Sequence, residues 1–109
     1  MQHLSAGELA DWLAASGPSQ PAPMLLDVRE PWEYELCHLA GSFLVPMQTV
    51  PSRLDELDAA ASVVVICHHG VRSLRVATFL EGQGFKAIYN LTGGINAWAQ
   101  TVEPAMCKY

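Results

Sequence analysis

The sequence predicts an α/β fold: a parallel sheet with helices on both faces. Two observations lead to it. Strand-like and helix-like stretches alternate along the chain with short connections, an order that specifies a parallel sheet covered on both sides. The clearest strand, Ser62-Val63-Val64-Val65-Ile66, is β-branched without alternation, which means burial on both of its faces. Half of the 109 residues are apolar, enough to bury a core, and only 16% are charged. One domain over residues 1–109 is expected at this length.

The elements follow in order. A short strand near Gln2–Leu4 can open the chain. Ser5 and Glu8 form a capping box, Leu4 and Leu9 hold the staple positions, and Leu9, Trp12 and Leu13 give an apolar face, so Ser5–Ala15 reads as helix. The stretch from Gly17 to Pro23 holds three prolines and reads as an extended surface loop. Met24–Val28 is a buried strand. Pro31 suits the first turn of a helix over Trp32–Leu36. Ser42–Val45 is a second strand ended by Pro46, and Arg53–Leu57 a short helix. After the central strand, Val71, Leu74, Ala77, Thr78 and Leu80 recur at helical spacing, with Gly82 and Gly84 at the end. Ala87–Tyr89 is a strand, and Ile95–Thr101 a helix that Pro104 limits.

The net charge of −5 argues against nucleic acid or an anionic membrane as partner, and no apolar run approaches the ~20 residues of a membrane span. The charge is uneven. Residues 1–60 carry nine acids and two bases, and residues 61–109 two acids and four bases. Between Ala61 and Leu80 there are two Arg, two His and no acid, which suits a small anion. The N-terminal residues lack a basic stretch followed by an apolar one, so a cytoplasmic protein is expected. Cys37, Cys67 and Cys107 are odd in number and widely spaced, neither a disulfide scaffold nor a zinc-ribbon pattern, and they suit a reducing compartment.

The informative stretch is Cys67-His68-His69-Gly70-Val71-Arg72-Ser73, between the best strand and the best helix. In parallel sheets ligands sit at the carboxyl ends of strands. A Cys there, turning into a helix N-terminus, meets unpaired amides and a dipole that favour the thiolate. Gly70 permits a backbone turn that aims successive amides inward, and Arg72 adds planar donors suited to an oxyanion. A buried, inert Cys67 is the plain alternative; the added Gly and Arg weigh against it.

At these residues the chain resembles the rhodanese-like domains, small sulfurtransferases. Cys67–Ser73 matches the C-x-x-G-x-R-S loop, Asp27-Val28-Arg29-Glu30 the D-V-R-E motif, and His38-Leu39-Ala40-Gly41-Ser42 the H-I-x-G-A segment with Pro46 after it. Leu91-Thr92-Gly93-Gly94-Ile95-Asn96-Ala97-Trp98 matches the late L-x-G-G-I-x-A-W motif. The resemblance implies a five-stranded parallel sheet. It also implies that Cys67 carries a sulfane sulfur as a persulfide, cradled by amides from His68, His69, Gly70, Val71 and Ser73, with Arg72 near the donor anion. The donor would be a small anion such as thiosulfate. The acceptor would be a thiol, cyanide or a protein, and no metal or organic cofactor is required.

Phosphatase and arsenate reductase loops of related shape are one residue longer between Cys and Arg than the His68–Val71 stretch here. The shorter loop should enclose one sulfur better than a tetrahedral phosphate. His68 and His69 admit proton transfer, or metal binding with Cys67 or with Cys37 and His38. Adjacent side chains in a turn are expected to diverge, which argues against metal, and a polar loop edge is the plain reading of both. Asp27, Arg29 and Glu30 read as a structural salt-bridge network, and Trp12, Trp32 and Trp98 as core or its edge. Cys37 stands where the family usually has Gly. If the preceding helix crosses back over the sheet, Cys37 starts its strand opposite Cys67, too far for a disulfide. Cys107, in the tail, could receive sulfur as a second thiol. A rival reading from another class is a binding or sulfur-relay module that works only with a protein partner.

Overall fold

A computed structural model describes residues 1–106. Among these are five strands: β1 (Gln2–Leu4), β2 (Met24–Asp27), β3 (Phe43–Leu44), β4 (Ser62–Ile66) and β5 (Ala87–Leu91). The α-helices are α1 (Ala6–Ala15), α2 (Pro31–Leu36), α3 (Val71–Gly82) and α4 (Gly94–Thr101). All paired strands are parallel, in the order β1-β5-β4-β2-β3. The chain leaves β2 toward one edge of the sheet and β4 toward the other. The switch point therefore lies between β2 and β4, where open α/β sheets hold their ligands.

The pattern of β4 explains the two-layered packing. Val63, Val65 and Cys67 share one apolar cluster with Val76, Ala77 and Leu80 of α3 and with Val50. Val64 and Ile66 point the other way, into a cluster with Leu9 of α1 and Ile95 and Trp98 of α4. All four residues from Val63 to Ile66 are fully buried. Each contributes about 1.5–3 kcal/mol of transfer free energy, so this strand anchors the domain.

The capping box of α1 is formed: the Glu8 amide donates to Ser5 Oγ and the Ser5 amide to the Glu8 carboxylate. Three expectations need correction. The short helix expected at Arg53–Leu57 starts earlier and is a 3-10 segment over Met47–Glu56, broken at Arg53. Pro51 within it has no amide to donate, which favours short tight turns over a continuous α-helix. The last strand runs on to Leu91, beyond Tyr89, because Asn90 and Leu91 still pair in register with His3 and Leu4. Trp98 is buried, but Trp32 is 58% exposed, because α2 turns Glu33 inward instead.

Candidate active site

Cys67 directly follows the last residue of β4, at the switch point, and its side chain is 1% exposed. Gly70 is the N-cap of α3 with φ +99°, a left-handed conformation that side chains resist. That turn aims the Gly70 amide back at Cys67 Sγ, 3.0 Å away. The sulfur also donates to Ser73 Oγ at 3.3 Å, in the first turn of α3. Ser73 in turn donates to Asn90 Oδ1 at 2.5 Å, and Asn90 Nδ2 reaches the Gly70 carbonyl at 3.4 Å. Ser73 and Asn90 are both buried.

The loop leans on the start of α4. The Ile95 amide donates to the Cys67 carbonyl at 2.8 Å and the Asn96 amide to the His68 carbonyl at 3.0 Å. The helix N-terminus thus takes up two loop carbonyls. This approach requires glycine at position 94, since a Cβ there would collide with the carbonyl oxygens of both Cys67 and His68.

Arg72 leaves the loop toward α2. Its Nη1 and Nη2 donate to Glu33 Oε1 and Oε2 at 2.7 and 2.9 Å, a bidentate pair. The Glu33 side chain is 4% exposed and that of Arg72 32%. Glu33 also accepts from the Glu30 amide at 3.0 Å, closing the start of α2. Beneath it Asp27 and Arg29 form a fully buried ion pair at 2.7 Å. Arg29 continues to the carbonyls of Glu33 at 3.3 Å and Cys37 at 2.7 Å, so α2 is fastened to the end of β2. The expected salt-bridge network is present for Asp27 and Arg29, whereas Glu30 is an exposed cap.

His68 and His69 do not diverge. Their rings stack 4.1 Å apart at 15°. Burial, the charge of His69, and Arg72 and Arg29 hold His68 below its ordinary value, while Glu33 opposes them. His68 is half-buried and His69 exposed; the Val71 side chain lies at the surface, 66% exposed. Among the described residues no three His, Cys, Asp or Glu side chains gather to hold a metal ion. No disulfide joins Cys37 to Cys67. Cys37 does not start a strand: it is the C-cap of α2, six positions before β3. Six helical residues span only about 9 Å, too short to cross the sheet. Cys107 lies outside the described residues.

Of the residues singled out in the sequence, the structure brings Gly70 and Ser73 to the Cys67 sulfur and takes Arg72 to Glu33. The sequence reading missed Glu33 and Asn90. For Glu33 no short-range signal exists, since its partner lies 39 positions away. For Asn90 there was one: an amide in the otherwise apolar end of a buried strand needs a hydrogen-bond partner.

Comparison with known proteins agrees with this architecture. The rhodanese-like domain model matches residues 5–101. A probable adenylyltransferase/sulfurtransferase MoeZ of Mycobacterium tuberculosis is 36% identical over 94% of this chain and 26% of its own length. A putative sulfur carrier protein YrkF of Bacillus subtilis is 38% identical over 72% of this chain and 43% of its own. The chain thus spans less than half the length of these curated relatives. A crystal structure of a rhodanese-like domain protein from Staphylococcus aureus superposes with a TM-score of 0.81 at 31% identity, covering 90% of this chain and 91% of that one.

Proposed function

The chain belongs to the rhodanese-like domain family, and on that premise we propose that it is a sulfurtransferase working through a Cys67 persulfide. The observation that carries the reading is the Cys67 sulfur itself, held at a switch point by an inward-facing Gly70 amide at 3.0 Å. In the reaction the Cys67 thiolate attacks the outer sulfur of a donor such as thiosulfate. A new S–S bond forms, the donor's S–S bond breaks, and sulfite leaves with the electron pair. A thiol, cyanide or a protein acceptor then attacks the outer sulfur, and Cys67 leaves as thiolate. Protein side chains and amides suffice for both steps. Amides from His68 to Ser73 stabilise the sulfur's negative charge, because preorganised donors in a water-poor site stabilise charge strongly. Arg72 attracts the donor from the rim, with its guanidinium shared with Glu33. A reducing compartment, the cytoplasm, suits free thiols of this kind.

The names of the relatives support a second reading as well. One is named a sulfur carrier and another a sulfurtransferase joined to an adenylyltransferase. This domain could accordingly relay sulfur only from a persulfidated protein. The mass of the intact protein after thiosulfate treatment tests both. Gain of one sulfur on the Cys67 peptide, released by cyanide as thiocyanate and absent from Cys67→Ser, is the expected result. Loading only from a protein persulfide favours the relay, and loading without Cys67 overturns both.

A further inference from the structure

Asn90 touches neither the surface nor the sulfur, yet it reaches both groups that do contact the sulfur. Its Oδ1 takes the Ser73 hydroxyl hydrogen, and its Nδ2 faces the carbonyl of Gly70, whose amide points at Cys67. The Gly70 carbonyl settles which way the amide group is turned. Reversed, two oxygens would face each other at 3.4 Å with no hydrogen between them. A hydroxyl has one hydrogen. With that hydrogen committed to Asn90, Ser73 can offer the sulfur only a lone pair, and so it accepts from the Cys67 thiol at 3.3 Å.

We infer that Asn90 is a positioning residue for the nucleophile: by claiming the hydrogen of Ser73 it makes that hydroxyl an acceptor for the Cys67 thiol rather than a donor to its sulfur. A Ser beside a reactive Cys would otherwise be read as a donor that stabilises the thiolate, the opposite effect. The other charged or titratable groups around the loop are His68 and His69 on it, Arg72 from α3, Glu33 from α2, and Asp27 and Arg29 from the end of β2. The sequence of α4 supplies none, and Tyr89 is the one titratable residue of β5. None of these groups changes in the variants below.

The inference rests on the sulfur-transfer reading only in taking Cys67 as the reacting atom, and its test needs no sulfur donor. In a Cys37→Ser/Cys107→Ser background, the thiolate ultraviolet absorbance of Cys67 is followed against pH. Asn90→Ala is expected to lower the midpoint by about one pH unit, because the freed Ser73 hydrogen turns to the sulfur and bonds a charged atom. With Ser73→Ala also present, Asn90→Ala is expected to move nothing further. Ser73→Ala alone leaves the midpoint at or below the parent's, since it removes an acceptor. Asn90→Asp, nearly isosteric, keeps an oxygen for the Ser73 hydrogen and leaves the midpoint at or above the parent's. A rise in Ser73→Ala or a fall in Asn90→Asp overturns the inference, and both can be read if Asn90→Ala does not fold. So does an unchanged midpoint in Asn90→Ala, or the same fall with and without Ser73. Failure of sulfur loading with these titrations intact would instead count against the sulfur-transfer reading alone.

Discussion

Replacing Gly94 by Ala tests how the loop is built. Gly94 has φ +60°, and a Cβ there would run into the carbonyl oxygens of Cys67 and His68. Two costs are separable. A left-handed conformation costs a non-glycine residue about 1–2 kcal/mol. Forcing extra atoms into a packed contact costs about 1–3 kcal/mol more, by displacing the loop or stretching the Ile95 and Asn96 hydrogen bonds to it. The sum, about 2–5 kcal/mol, is a large share of a typical domain stability of about 5–15 kcal/mol. Gly84 supplies the control, with φ +94° and nothing within 4 Å of its missing Cβ. Gly84→Ala carries the backbone cost alone. Urea unfolding of both variants, with sulfur loading measured at low temperature where both remain folded, separates the contributions. Gly94→Ala should be the less stable by about 1–3 kcal/mol and should load sulfur poorly, while folded Gly84→Ala loads normally. Equal stability and equal loading would refute the claim that α4 positions the loop.

The ion pair and the histidines yield two further expectations. Arg72→Ala takes the guanidinium away from the buried Glu33 carboxylate and should cost about 1–3 kcal/mol, less than a fully buried pair because Arg72 is one-third exposed and the Glu30 amide still donates to Glu33. Adding Glu33→Gln should recover part of that loss in urea unfolding, and no recovery would remove the pair from the account. Burial holds His68 below its ordinary value of 6.5, so below that pH the unfolded chain binds a proton that the folded one resists. Stability should therefore fall as pH drops below about 6.5 and on through the lower folded value. His68→Gln should flatten this dependence; an unchanged slope in thermal unfolding would assign it to other groups.

Much of this molecule is written in short stretches of its sequence. Four apolar residues in a row make β4 a buried central strand, Ser5 and Glu8 start α1, and the spacing from Cys67 to Ser73 makes a strand–turn–helix site around Gly70. These depend on side-chain period, capping chemistry and the one residue that tolerates φ +99°, all properties of neighbours along the chain. The parts the sequence reading missed all join distant segments. Glu33 meets Arg72 because β2 lies beside β4, and Asn90 meets Ser73 because β5 lies on its other side. Gly94 meets the loop because the chain enters α4 directly beyond β5. Cys37 and Trp32 were misplaced for a related reason: a helix of six residues leaves its path over the sheet to the buried Arg29 that fastens it. Apolar pattern tells a strand that it must be buried, but not which strand it lies beside. Strand order is decided by all the layers packing at once, and only then do the charged and polar groups that hold Cys67 find their partners.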